Sequence, residues 1–443
     1  MIVEDQTLAI DFMTRLAGRN ARVELIETHI SMIFLLDDRA YKMKRAVKLP
    51  YVDFSTPALR LEACKKEIVY NSNTAPDIYL GVRLITQQAD GSVSFDGSGT
   101  LLDCVVEMVR FAQSDLMSKK AKSNTLSADL MTQVAQLIVE AHRAALIIRT
   151  VGGSENMSAV LDINEAGFKK SAFFDEHEVQ ALNKKFRTYL AKHRRQLDRR
   201  EKNGLVRRCH GDLHLRNICV FKDKPTLFDC IEFNDQIANT DILYDLSFLL
   251  MDLWQCRLQG FANLVMNRHF DAMDDDEGIG LLGFFMAVRA AVRAHVTATL
   301  IVGSEAPSET IKAEARSYFS LAGQFLEASE LKWITIGGLS GLVNPQSLRN
   351  SRPTLARFRG HALWKATGYA KPCLRFQPKA YCLKKPILKK FQNRSICNWR
   401  NGANRWFRRG NQSLSTPSIH ALNNAIILQI APIKLMFPFL ASG

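Results

Sequence analysis

The stretch His210-Gly211-Asp212-Leu213-His214-Leu215-Arg216-Asn217 decides the fold, together with Asp229 in the apolar run that follows it. Asp212 and Asn217 are five residues apart, and Asp229 comes twelve residues after Asn217. This spacing predicts one carboxylate on a loop, and an amide and a second carboxylate on adjoining strands around a metal ion. Phosphoryl transfer needs such positioned, charge-neutralising groups more than it needs covalent help. In the alternative interpretation, His210 and Asp212 cap a turn and Asp229 ends a strand.

The combination resembles the H-R-D-x-x-x-x-N loop and the D-F-G aspartate of protein kinases. More closely, H-G-D-x-H-x-x-N with a following Asp is similar to the aminoglycoside phosphotransferase family of the protein-kinase-like fold. The resemblance implies ATP and Mg2+ as cofactors and a small-molecule hydroxyl as acceptor. It also implies Asp212 as the catalytic base and Asn217 and Asp229 as magnesium ligands. Many family members read H-G-D-L-H-P-G-N, whereas this chain has Leu215 and Arg216 in the Pro-Gly positions. Its substrate therefore need not be an antibiotic.

An amino-terminal β-hairpin is predicted from residues 31–44. Residues 31–36 are apolar, Asp37-Asp38 suits a two-residue turn, and residues 39–44 alternate. Lys42 and Lys44 then share one face of the second strand. Resemblance of this strand to the kinase V-A-I-K element implies that Lys42 holds the nucleotide phosphates, with Lys44 as the alternative. Both lysines could instead form a solvated strand face.

The ion-pair partner of this lysine is expected on the next helix. Ser55-Thr56-Pro57 is a helix start signal, and residues 58–71 have helical character. Glu62 and Glu67 are the candidates. Resemblance of the run around Glu67 to the family's helix favours Glu67.

The run at residues 101–111 is apolar and ends near Glu107 and Val109. By resemblance it is the hinge between two lobes, where backbone groups at Glu107 and Val109 would bind the adenine edge of ATP. The alternative is a plain buried strand. No G-x-G-x-x-G precedes the first hairpin. The hydroxyls and backbone amides of residues 28–31 are expected to cover the phosphates instead.

Helices are predicted after the hinge. Residues 127–148 show amphipathic periodicity, residues 173–200 are a basic helical stretch with a solvated face, and 246–253 and 279–301 are apolar. His142 is expected to be a packed or surface histidine. Asp245 resembles the family's structural aspartate, which braces the catalytic loop. The predicted fold is α+β, with an amino-terminal kinase-like lobe at 1–110 and a catalytic lobe at 111–330.

Composition changes sharply in the last quarter. The formal net charge is +15, yet residues 342–443 contain 18 Lys and Arg and no Asp or Glu, which leaves residues 1–341 at −3. A basic arm could bind nucleic acid. The apolar run at 425–440 could meet a membrane, although two prolines and a lysine interrupt it. A third explanation is translation out of frame.

Residues 333–341 read W-I-T-I-G-G-L-S-G, the start of a G-x-x-x-x-G-K-[ST] phosphate loop. Codons for Leu-Val-Asn-Pro-Gln-Ser at 342–347, read in the other frame after one added base, encode T-G-K-S-T-V and restore the loop. Three stretches further downstream regain acidic residues in the same frame. The sequence therefore favours the bacterial branch of the family in which a P-loop domain follows the kinase-like domain, here frameshifted. Residues 331–443 are interpreted as a remnant strand and the start of a P-loop domain, followed after Gly341 by an out-of-frame tail. The tail is expected to be disordered or poorly folded, without a specific nucleic-acid or membrane partner.

Two other functions stay open: a nucleotide-binding pseudokinase or regulatory module, which the missing glycine loop favours, and a non-specific nucleic-acid binder acting through the basic tail. The six cysteines before residue 331 show no C-x-x-C spacing. With no secretory signal pattern, they are interpreted as reduced thiols of a cytoplasmic protein.

Overall fold

The computed structural model describes residues 3–16, 23–49, 52–149, 152–302 and 308–327. The predicted phosphate-loop remnant, the tail that the sequence predicts to be out of frame and its three cysteines lie outside these residues. Within them, a strand-rich segment precedes a helix-rich one.

The first segment is a six-stranded antiparallel sheet with two helices. The sheet has the strand order β1-β2-β3-β8-β6-β7, and the short pair β4-β5 lies beside it. Its elements are α1 (Thr7–Arg15), β1 (Glu24–Glu27), β2 (Ser31–Leu36), β3 (Arg39–Lys44), β4 (Lys48–Leu49), β5 (Val52–Asp53), α2 (Pro57–Asn71), β6 (Tyr79–Gln87), β7 (Val93–Phe95) and β8 (Thr100–Val109).

The predicted hairpin is confirmed. β2 and β3 pair from Ser31↔Lys44 to Leu36↔Arg39, and Asp37 takes a positive φ of 45° in the turn, a conformation that Asp tolerates better than most residues. The face of β3 that carries Tyr41 packs on α1. The opposite face turns its lysines toward α2, as the alternation predicts.

Helix α2 begins where the sequence signal places it. The Thr56 side chain accepts a hydrogen bond from the Leu59 amide at 3.3 Å, and Pro57 occupies the first turn. Pro suits this position because its missing N–H would have no partner there. The helix buries Glu67 completely against the sheet.

The second segment is mainly helical and surrounds one large apolar core. Its elements are α3 (Met117–Lys122), α4 (Ala128–Ala144), α5 (Gly153–Ser171), α6 (Glu176–Lys202), β9 (Val206–Arg208), β10 (Ile218–Phe221), β11 (Lys224–Leu227), α7 (Asp235–Ala238), β12 (Asn239–Asp241), α8 (Ile242–Gln255), α9 (Gln259–Met273), α10 (Ile279–Val302) and α11 (Glu309–Leu326).

Two features differ from the expectation. Helix α5 was not predicted, and it begins at Gly153, where a Cβ would lie 2.3 Å from the Leu197 carbonyl oxygen of α6. The basic helix α6 is not only a solvated face. Its Arg200 is buried and forms ion pairs with Asp241 and Asp275, both at 2.6 Å.

Among the described residues, one helical stretch, Asp276–Ile301, is long and apolar enough to cross a membrane. Two thirds of its apolar window, 67%, is buried inside the protein. The burial is typical of a core helix, and α10 contacts α5, α8 and α11.

Candidate active site

The loop that carries Asp212 is held by its neighbours on both sides. Gly211 has a φ of +81°, a conformation that favours glycine, and its amide donates to Asp245 Oδ1 at 2.8 Å. The His210 carbonyl accepts the Ile231 amide at 2.9 Å. The loop is thereby fixed to the start of α8 and to the segment that follows Asp229.

Asp245 is itself held from a second direction. His142 Nε2 lies 3.0 Å from Asp245 Oδ2, and His142 Nδ1 lies 3.0 Å from His269 Nε2. All three side chains are buried. The predicted bracing position of Asp245 agrees with this geometry. His142, expected to be a packed or surface histidine, is packed and orients Asp245.

Asp212 and Asn217 are in direct contact. Asn217 Nδ2 donates to Asp212 Oδ2 at 2.9 Å and to the Asp212 carbonyl at 3.0 Å. Burial would raise the pKa of Asp212, but His214, His210 and two arginines hold it below its ordinary value. The carboxylate is therefore ionised at neutral pH and can accept a proton.

Asp229 faces this pair and contacts the first segment. Its backbone takes a φ of 61°, and its amide donates to the Tyr79 hydroxyl, with the two atoms 3.0 Å apart. Its carboxylate forms an ion pair with Lys42 Nζ, which also lies 2.7 Å from Glu67 Oε1. Burial would lower the pKa of Lys42, but Asp229 and Glu67 raise it well above the ordinary value for lysine.

The second lysine has a separate partner. Lys44 Nζ forms ion pairs with Glu67 and with Glu232, and both Lys44 and Glu232 are buried. Glu232 was missed in the sequence. Its one visible signal is an acidic residue three positions after Asp229, within an apolar run. The result is a continuous chain of opposite charges from Asp229 through Lys42, Glu67 and Lys44 to Glu232.

These groups surround a cavity of about 700 Å³ between the sheet and the helical segment. Lys42, Lys44, Asp212, Asn217 and Asp229 all line it. One end has apolar walls, from residues that include Ile33, Ala40, Ile78, Met108 and Phe228. A planar apolar group such as a nucleobase would be buried at this end.

The two hinge residues differ in placement. Val109 lines the cavity, but its amide already donates to the Ile78 carbonyl at 2.8 Å. The Glu107 carboxylate accepts a hydrogen bond from Tyr41 at 3.3 Å and contacts Arg83 at 3.3 Å. Glu107 is not among the residues that line the cavity. The prediction concerned backbone atoms at these positions, and it stays a prediction.

The turn before β2 lines the cavity in place of a glycine-rich loop. Thr28 Oγ1 accepts the Ser31 amide at 2.9 Å, and the Thr28 amide donates to the Ser31 carbonyl at 2.8 Å. The Ser31 hydroxyl is buried and has no partner among the described residues. That a phosphate is covered by residues 28–31 stays a prediction.

Comparison with known sequences gives one family match and three relatives at 24% identity. Residues 106–278 match the phosphotransferase enzyme family. Proteins of Mycobacterium tuberculosis and Mycobacterium bovis, both described as uncharacterized, are 24% identical over 324 residues. The match covers 72% of this chain and 63% of theirs, so the chain spans less than two thirds of the length of these relatives.

Similar solved structures belong to small-molecule kinases. A choline/ethanolamine kinase family protein from Mesorhizobium loti has a TM-score of 0.45 at 14% identity, with 73% of this chain and 96% of that chain covered. An amicoumacin kinase has a TM-score of 0.45 at 12% identity, with 72% and 94% covered. A thermostable mutant of an aminoglycoside phosphotransferase has a TM-score of 0.43 at 12% identity, with 71% and 97% covered. Residues 106–278 are thus similar to the phosphotransferase enzyme family, within a chain whose described residues form an α+β fold.

Proposed function

We propose that residues 1 to about 330 transfer the γ-phosphate of ATP, bound with Mg2+, to a hydroxyl group of a small molecule. The observation that supports this most is the convergence of Lys42, Asp212, Asn217 and Asp229 on one cavity. The amino-terminal lobe, residues 1–110, would supply Lys42. The carboxy-terminal lobe, residues 111–330, would supply the other three.

The residues fit a magnesium ion. Mg2+ prefers oxygen ligands, and Asp229 offers a carboxylate while Asn217 keeps its Oδ1 available because its Nδ2 donates to Asp212. Bound there, the ion would neutralise phosphate charge. Lys42, held by Glu67, would neutralise the α- and β-phosphates, and the backbone at Val109, which lines the cavity, would meet the adenine edge.

Asp212 would act as the base. Its ionised carboxylate would accept the proton of the acceptor hydroxyl while the hydroxyl oxygen bonds to the γ-phosphorus. The bond from that phosphorus to the bridging oxygen of ADP breaks, and ADP leaves. Asn217 fixes the orientation of the carboxylate through the 2.9 Å hydrogen bond.

Magnesium-dependent nucleotide binding tests the site. Calorimetry with the full chain should detect binding of AMP-PNP with Mg2+ and much weaker binding without it. Asp229→Ala should abolish the magnesium-dependent part. Asp11→Asn, an exposed change on α1, is the matched control and should bind as the wild type does. Equal binding by Asp229→Ala and wild type would overturn the proposed site.

A regulatory nucleotide-binding module is the second candidate, favoured by the turn at 28–31, which lacks the glycines of a phosphate-covering loop. A regulatory module of this kind would bind Mg·ATP tightly, and Asp212→Ala would not change its rate of ATP turnover.

A further inference from the structure

The cavity continues past Asp212 into a part with walls from α5, α10 and α11. Two arginines of α10, Arg289 and Arg293, line this part, and so does Arg216 of the catalytic loop. Residues four apart on a helix share a face, so α10 directs both guanidinium groups toward the same space. Three cations therefore surround the region where the acceptor of the proposed reaction would bind.

Arg289 is the most buried of the three, with 3% of its surface exposed. Its guanidinium carbon lies 3.8 Å from the ring centroid of Tyr244 and 4.7 Å from that of Phe248. Nε donates to the Tyr244 carbonyl at 3.2 Å, but Nη2 is buried and has no partner among the described residues. A buried donor left unpaired is destabilising, and the acceptor group of a bound ligand would pair with it.

Arg293 is also incompletely paired. Its guanidinium carbon lies 5.3 Å from the ring centroid of Tyr318, and its Nε is buried without a partner among the described residues. The one carboxylate within salt-bridge distance in the described part of the chain is Glu314, half exposed and 4.0 Å from Nη2. At that separation the pair is weak.

Arg216 adds the third charge from the loop that carries the base. Among the described residues it has no carboxylate within the 4.0 Å salt-bridge limit. Its side chain is exposed, and it lines the same cavity as Arg293. Arg216 also stands where the resembling family has glycine, so this chain adds a cation where many family members have no side chain.

The neighbouring histidines, His295 and His214, add no positive charge to this part of the cavity. Burial lowers the pKa of His295 to about 4 and also lowers the pKa of His214, so both are neutral at physiological pH. The acids near the three arginines are Asp212, the proposed base, Glu314 and Asp252, which also accepts the Leu215 amide at 3.0 Å. The buried guanidinium nitrogens of Arg289 and Arg293 that lack a partner among the described residues favour an anion over an ammonium group here.

We infer that the acceptor is a hydroxyl compound that carries an anionic oxygen group, a carboxylate or a phosphate, which Arg216, Arg289 and Arg293 bind. This inference rests on the proposed phosphotransferase function and gives its substrate class. Guanidinium groups suit such anions because they present parallel N–H donors. The acceptor thus differs in charge from cationic amino sugars.

A matched series of vicinal diols tests the inference: glycerol, glycerate, glycerol 3-phosphate and 3-amino-1,2-propanediol. Their binding to the full chain, saturated with Mg2+ and AMP-PNP, is measured by calorimetry. We expect glycerate or glycerol 3-phosphate to bind at least about tenfold more tightly than glycerol, the effect of one charged hydrogen bond. The cationic diol should bind more weakly than glycerol. The two anions distinguish carboxylate from phosphate as the preferred group.

Substitutions of single arginines test which side chains cause the preference for the anion. Arg216→Gln changes an exposed side chain, and Arg293→Gln changes a partly buried one. Each should remove most of the preference for the anion. Arg195→Gln, an exposed change on α6, is the control for loss of one positive charge and should keep the preference. Because nucleotide binding is measured first, its absence would refute the phosphotransferase, while anion binding through the arginines could still be seen.

Two results would overturn the inference. One is that neither anion binds more tightly than glycerol to the nucleotide-loaded protein. The other is an anion preference that persists at full size in both Arg216→Gln and Arg293→Gln.

Discussion

Lys42 and Glu67 are joined by an ion pair of 2.7 Å in the interior of the protein, and neither side chain is more than 9% exposed. The pair links β3 to α2, and through Lys42 it reaches Asp229 in the second lobe. A buried ion pair is costly to break because it leaves an uncompensated charge. The position of Lys42 in the cavity therefore depends on both lobes.

The two lysines of β3 should have separable effects. Lys42→Met should raise the dissociation constant of Mg·ATP at least about tenfold, because a phosphate loses a charged partner. Lys44→Met should mainly reduce stability, by about 3–5 kcal/mol, because Glu232 is left buried and unpaired. Calorimetric titration and urea unfolding of both variants measure this. A larger loss of affinity in Lys44→Met would show that Lys44 makes the phosphate contact.

Asp245 should act as a positioning residue. Asp245→Ala removes the acceptor of the Gly211 amide and the partner of His142, so the loop can shift. We expect turnover to fall about a hundredfold, the scale of a 1 Å misplacement, while Mg·ATP affinity stays within a few-fold. Asp245→Asn keeps an oxygen acceptor and should recover part of the turnover. Unchanged turnover in folded Asp245→Ala would exclude the bracing role.

Stability should fall in weak acid through His295. Its Nε2 lies 3.2 Å from Asn164 Oδ1, and burial lowers its pKa from 6.5 to about 4. As pH falls from 6.5 toward 4, His295 therefore binds a proton in the unfolded chain but stays neutral in the folded chain. The contribution of His295 to the free energy of unfolding is complete above pH 6.5 and decreases below that pH, by up to about 3 kcal/mol. Urea unfolding across this range should show a shallower pH slope in His295→Gln. An identical slope would contradict the assignment.

The prediction for residues 342–443 rests on sequence alone. If they are translated out of frame, a chain that ends at residue 330 should keep the Mg·ATP affinity and thermal midpoint of the full chain. Binding of nucleic acid by the full chain should be lost with added salt and show no sequence preference. Sequencing of the DNA around codon 342 is the direct check. Loss of folding in the shortened chain would show that the tail is a necessary part of the structure.

Local signals explain what the sequence could predict. The hairpin turn at Asp37, the start of α2 at Thr56 and the five-residue spacing of Asp212 and Asn217 are each encoded within a few residues. The pairing of Lys42 with Glu67 could be predicted because the family resemblance adds a long-range constraint. The roles of these residues in catalysis remain predictions that the experiments above test.

Non-local contacts explain what the sequence did not predict. Helix α5 begins at a Gly-Gly pair that is typical of a loop, and its packing against α6 stabilises it. Arg200 looked like part of a solvated basic face, but Asp241 and Asp275, 41 and 75 residues away, hold it in the interior. Glu232 is similarly defined by Lys44, 188 residues away. Ion-pair partners that are this far apart in the sequence cannot be identified until the fold is known.

The most direct test of the central claim compares steady-state turnover of Mg·ATP by the wild type and Asp212→Asn, with nucleotide affinity measured in parallel. Asparagine keeps the shape and the contact with Asn217 but cannot accept the proton. The account predicts that Asp212→Asn binds Mg·ATP as the wild type does and turns over at least about a hundredfold more slowly, the scale of general-base loss. Equal turnover by the two proteins would contradict it.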